Sequence, residues 1–149
     1  ADGGGKVKEK ALNLLGLMRK ANAAAIGETD TGAAARAQTA KLVVLASDAS
    51  SNAQSRANGF VHGRDIPLIT LPFTKQEISE HVGKSGCSMA AICDLGFADA
   101  FLKLLCELDD GYADTAKAIS ERLENQKQRK HETKAHEKNK RTGKRRTNA

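Results

Sequence analysis

The stretch Lys41-Leu42-Val43-Val44-Leu45-Ala46-Ser47-Asp48-Ala49-Ser50 decides how the chain is read. Leu42 to Ala46 is strand-sized and wholly apolar, and no apolar run in the chain is longer. Such a run predicts a strand buried on both faces. Ser47 to Ser50 is a turn with helix N-cap chemistry. It leads into Ser51–Val61, where Ala53, Ala57, Phe60 and Val61 fall on one side of a helix. A buried strand followed by a capped one-sided helix is the unit of a layered α/β fold.

The same alternation continues outward. Downstream, Gly63-Arg64-Asp65 breaks the helix and Ile66–Leu71 reads as a strand led in by Pro67. Thr74 caps a helix over Lys75–Val82, and Glu77 completes a Thr-x-x-Glu capping box. After the loop at 83–86 come a strand over Ser88–Cys93 and a helix over Phe97–Leu108, with Phe97, Phe101, Leu104, Leu105 and Leu108 on its core face. Upstream, Glu28–Gln38 opens with acids that suit a helix N-terminus. Ala23–Ile26 reads as a short strand. Lys8–Lys20 reads as a helix carrying Ala11, Leu14, Leu15 and Met18. Short strands alternating with helices predict helices on both faces of a small, largely parallel sheet.

The charge is unevenly placed. The 149 residues hold 24 Lys and Arg against 18 Asp and Glu, a net charge of +6. Residues 126–149 carry ten of the cations and two acids, or +8, so residues 1–125 carry −2. After Asn125 the apolar residues are Ala135 and Ala149 alone, so this tail cannot bury a core and is expected to be disordered in isolation or a frayed helix. Ala113–Glu124 carries a weak stripe of Ala116, Ile119 and Leu123 and is expected to be helical. The expected organisation is a leader over 1–7, a folded domain over 8–112 and a partly helical basic tail over 113–149. No apolar run approaches the length of a membrane span. Ala1–Gly5 lacks the apolar core of a secretory signal and reads as a flexible leader. Cys87, Cys93 and Cys106 include no Cys-x-x-Cys pair and read as small apolar residues in a reducing compartment. The expected location is cytoplasmic.

Catalytic motifs fail on their own chemistry. Gly27-x4-Gly32 opens like a phosphate loop, but Ala33 and Ala34 stand where Lys and Ser or Thr are needed. Gly83-Lys84-Ser85 ends like one, but Ile78 occupies the first glycine position and a strand follows. The four histidines, His62, His81, His131 and His136, show no paired ligand spacing, and there is no Gly-x-Ser-x-Gly elbow. The reading is a non-enzyme with no cofactor and no metal. What remains is the turn Ala25-Ile26-Gly27-Glu28-Thr29-Asp30-Thr31, which joins a strand to a helix N-terminus whose N–H groups can face a phosphate or a base edge. On spacing alone its acids serve equally well as complements to the helix dipole.

The order of several segments carries a resemblance. Ala11-Leu12-Asn13-Leu14-Leu15-Gly16-Leu17-Met18-Arg19-Lys20-Ala21 is followed by Gly27-Glu28, then Lys41 to Ser50. Pro67, Phe73-Thr74-Lys75, Val82-Gly83-Lys84-Ser85 and Asp94-Leu95-Gly96-Phe97-Ala98 complete the series. Over about residues 8–108 the chain resembles the kink-turn RNA-binding family of large-subunit ribosomal protein seven-Ae, in its bacterial YlxQ-like branch. The resemblance implies a three-layer α/β/α sandwich around a four-stranded mixed sheet. It also implies non-catalytic binding of kink-turns, where tandem sheared G·A pairs bend an RNA helix. The family's main contact, the helix N-terminus after a glycine, falls at Gly27. Its usual Asn falls at Thr29, its usual Glu at Asp30 and its usual Lys at Ala33. Its second contact, a loop covering an extruded base, falls at Lys84, Ser85, Gly86, Cys87 and Ser88. Ala33 removes a charged contact of roughly 1–3 kcal/mol. Arg36, one turn later, is a partial substitute.

The expected site therefore comprises Gly27, Glu28, Thr29, Asp30, Arg36 and Lys84 to Ser88. The tail adds Lys127, Arg129, Lys130, Lys134, Lys138, Lys140, Arg141, Lys144, Arg145 and Arg146. The expected partner is ribosomal or other structured RNA, with ribosomal proteins beside it, and the free chain is expected to be a monomer. The competing readings are an adaptor for proteins that keeps the fold and has lost kink-turn recognition, and a tail that only solubilises.

Overall fold

The computed structural model describes residues 2–85 and 87–147, with side chains over 5–85 and 87–130. Its elements run α1 (Asp2–Lys20), β1 (Ala24–Ile26), α2 (Glu28–Arg36), β2 (Leu42–Leu45), α3 (Ser51–Val61), β3 (Leu68–Thr70), α4 (Lys75–Val82), β4 (Met89–Ile92), α5 (Leu95–Leu108), a short 3₁₀ turn (Asp110–Tyr112) and α6 (Ala113–Thr147).

The four strands form one sheet in the order β1-β4-β2-β3. β2 and β3 are parallel, with Val44 opposite Ile69. β4 runs antiparallel to both neighbours, placing Met89 opposite Leu45 and Ala90 opposite Ile26. This corrects the largely parallel sheet that alternation predicts and agrees with the mixed sheet that the resemblance implies. The strand that opposes the other three is β4, whose direction the alternation of strands and helices does not fix.

β2 alternates between two cores, as period-two side-chain geometry requires. Leu42 and Val44 join Ile92 and Ala90 in a core covered by α1, α4, α5 and α6. Val43 and Leu45 join Ala91 and Met89 in a smaller, alanine-rich core under α2 and α3. The three-layer sandwich follows from these two faces.

Local signals behave as their chemistry demands. Ser50 caps α3 by accepting from Ala53 N–H, and Thr74 with Glu77 forms the full capping box of α4. Asp94 caps α5 by accepting from Gly96 and Phe97 N–H, so the helix starts two residues ahead of the expected Phe97. Its fully buried residues are Phe101, Leu102, Leu105 and Ala98, while Phe97, Leu104 and Leu108 are only partly buried. α1 begins at Asp2, ahead of the expected Lys8, because extending a nucleated helix costs less than starting one.

Chain beyond 112 takes part in the packing. Ile119 of α6 is fully buried, with Ala116 and Leu123 against the same core. Burial of that isoleucine stabilises by about 2 kcal/mol. Tyr112 Oη donates to Thr70 O at 2.6 Å, tying the start of this segment to β3. Burial, with the nearby Asp109 charge, pushes the Tyr112 hydroxyl above its ordinary value.

Candidate nucleic-acid interface

β1 ends at Ile26 and the chain turns into α2 through Gly27, at φ 98° and ψ 164°. Side chains avoid this conformation, so glycine is the residue that fits. Gly27 N–H donates to Met89 O at 3.0 Å, and Gly27 O accepts from Thr31 N–H at 2.9 Å. The turn is thus fixed to the start of β4 on one side and opens the helix on the other. No side chain caps this N-terminus. Its N–H groups and the positive end of the helix dipole remain available to an anion.

The outer face of α2 carries Thr29, Asp30, Ala33 and Arg36, all exposed and at helical spacing. Glu28 pairs with Arg56 of α3. Thr31 is fully buried, and its Oγ1 has no hydrogen-bond partner among the described residues.

The second expected region meets this turn through one side chain. Lys84 lies just past the carboxyl end of α4 and reaches back over Gly27. Its Nζ donates to Ile26 O at 2.8 Å and lies 3.4 Å from Asp30 Oδ2. A Cβ at Gly27 would sit 3.3 Å from that nitrogen. Gly27, Asp30 and Lys84 therefore form one surface, though residues 27 and 84 belong to different elements. The surface continues into a concavity of about 610 Å³ between the ends of α1 and α4 and the start of α2. Arg19 and Lys20 line it, and Asp30 and Glu80 are its acids. Arg19 donates to Val82 O and so satisfies one of the last carbonyls of α4.

The remaining expected residues divide by accessibility. Ser85 is exposed and Ser88 half-buried. Cys87 is buried, with its N–H donating to Ser79 Oγ at 3.3 Å and its Sγ 2.9 Å from Lys84 O, so its thiol is directed to the loop's interior bonding. Gly86 lies outside the described residues. Lys127, Arg129 and Lys130 are exposed on α6. The side chains of Lys134, Lys138, Lys140, Arg141, Lys144, Arg145 and Arg146 lie outside the described ones. Arg19, Lys20 and Arg56 border the site without having been expected there. The signal for the first two was present in the basic last turn of α1, whereas nothing local points to Arg56. Among the described residues no group of His, Cys, Asp and Glu could hold a metal, and no helix is long and apolar enough to cross a membrane.

No family model matches the chain. An RNA-binding protein YlxQ from Enterococcus faecium is 34% identical to it over 98 residues, spanning 66% of this chain and 93% of the relative. The chain belongs to the YlxQ-like branch of the ribosomal protein seven-Ae family. A Bacillus halodurans protein of unknown function superposes with a TM-score of 0.58 at 26% identity, over 64% of this chain and 95% of its own. A 15.5 kD RNA-binding protein from Giardia lamblia shares the fold with a TM-score of 0.51 at 16% identity, over 76% and 90% of the two chains. This chain has its glycine turn at Gly27 and an alanine at the exposed position 33 of α2. The cation beside the turn is Lys84.

Proposed function

We propose that the protein is a non-catalytic RNA-binding protein that grips a kink-turn-like structure through the N-terminus of α2. The Lys84–Ser88 loop flanks the bend and the basic tail adds electrostatic attraction. Its setting is cytoplasmic, in association with ribosomal or other structured RNA. The observation that carries this reading is Lys84 lying across Gly27, which joins the two separate contact regions into one surface. Uncapped N–H groups, a dipole and a cation at a concave mouth are the parts needed for a phosphate and a base edge. The relatives named as RNA-binding support the same class of partner.

A second reading is favoured by Ala33 and by the acids Glu28 and Asp30 in the first turn. In it the fold serves protein contacts and only the tail attracts RNA. One binding experiment separates the two. The full chain is titrated, at about 0.15 M salt, with a kink-turn RNA and with a straightened partner whose sheared G·A pairs are replaced by Watson–Crick pairs. Selectivity of tenfold or more, about 1.4 kcal/mol, is expected. Equal affinities overturn kink-turn recognition and leave the adaptor reading.

A further inference from the structure

We propose that a cleft at the other end of α2 is a second RNA contact, built to take the phosphates of duplex flanking the bend. The cleft measures about 350 Å³ and is lined by Lys41, Arg64 and Arg122, with Asp65 as its one acid. It lies before β2, at the end of the sheet opposite Gly27. The body of the chain is net acidic, so three cations around one carboxylate are a local concentration, not a sample of the average surface.

The bonding of these groups leaves two of the three cations without an acidic partner in the cleft. Arg122 Nη1 donates to Asp65 O at 2.8 Å, and its other terminal nitrogen pairs with the Asp65 carboxylate. The single acid is thus committed to anchoring α6. Arg64 Nη1 donates to Phe60 O at 3.1 Å, which steadies the guanidinium without neutralising it. Lys41 has no side-chain hydrogen bond or ion pair among the described residues. Ala40 and Ile66 are the apolar lining, too little for an apolar peptide, whereas guanidinium forks and an ammonium suit phosphate oxygens.

The cleft also connects the two parts of the proposed interface. The nine residues of α2 place it about 13 Å from the Gly27 end. On α6, the exposed Arg129 and Lys130 fall seven and eight residues after Arg122, on the same helix face and about 10 Å further on. Arg36 thus falls between Gly27 and the cleft along α2, and the basic tail begins about two turns beyond the cleft along α6. This inference rests on the Gly27 reading for the position of the bend, but not for the existence of the contact.

The test uses the full chain and two kink-turn RNAs, one with minimal stems and one extended by a duplex arm of a full turn or more. Lys41→Gln with Arg64→Gln is expected to weaken binding of the long-armed RNA about tenfold. The slope of log affinity against log salt should fall by one to two, with little change on the minimal RNA. Asp65→Asn is expected to tighten the long-armed complex severalfold, an effect that a folding defect does not produce. Unchanged affinity and slope in the double variant overturn the proposal, as does an equal loss on both RNAs or weaker binding by D65N. If the native chain fails to distinguish a bent from a straight RNA while the double variant still loses affinity for the arm, the cleft stands and the Gly27 reading falls. If bent-RNA selectivity persists and the double variant behaves as the native chain, the cleft alone falls.

Discussion

Gly27 carries two constraints at one position, a backbone conformation that side chains avoid and a lysine nitrogen packed where a Cβ would project. Gly27→Ala should cost about 1–3 kcal/mol of stability, measured by chemical denaturation, and should reduce kink-turn affinity beyond that loss by displacing Lys84. Ala33 presents the opposite case, since it is exposed on α2 with room for a longer side chain. Ala33→Lys is expected to raise kink-turn affinity about tenfold in a fluorescence titration, with a smaller gain on the straightened RNA. The turn itself was legible in the sequence because Gly27 between an apolar run and an acidic helix start is a local signal. The reach of Lys84 onto Ile26 O was not legible, because it spans 58 positions and depends on how α4 packs. Cys87 was placed in the contact loop by position alone, and packing buried its side chain.

At the scale of elements, α4 shows how a cap becomes a pH response. Glu77 closes the capping box with Thr74 and also pairs with Lys8 of α1. The Lys8 contact, followed by the Thr74 backbone bond, holds the Glu77 carboxyl below its ordinary value. A carboxylate with a lowered folded-state value stabilises when ionised, so its contribution is complete at neutral pH. It is lost as the pH falls through that lowered value. Glu77→Gln keeps an oxygen to close the capping box and loses the Lys8 ion pair, so it should lower the melting temperature slightly at pH 7, and the gap to the native chain should close as the pH falls through the lowered carboxyl value. Helices were readable from caps and periodicity, and Ser50, Thr74 and the acids after Gly27 marked starts that the structure retains. The direction of β4 was not readable, since the hydrogen-bonding partners of a short strand are chosen by the whole sheet.

At the scale of the molecule, charge and shape are carried by different parts. The body is near neutral and the last 24 residues hold +8. Replacing Lys138, Lys140, Arg141, Lys144, Arg145 and Arg146 by Gln should flatten the salt dependence of RNA affinity, by about one unit of slope for each phosphate contact removed. The preference for bent over straight RNA, measured at fixed salt, should remain. Length and composition located this division, but they could not show that Ile119 is part of the core. A lone isoleucine in a weakly apolar stripe gains its weight only from α5 beneath it. One further contact sets how α1 and α4 meet. A Cβ on Gly16 of α1 would stand 2.5 Å from His81 O of α4, so the two helices meet with backbone on backbone. Arg19 and Gly83 close the same seam. Lys84 hangs from the end of α4, so the absence of a side chain at position 16 acts as a spacer gauge for a cation on the rim of the same concavity. Gly16→Ala should leave every contact residue in place chemically and still present as an RNA-binding defect, a lesion at a buried position that a screen confined to exposed residues would miss.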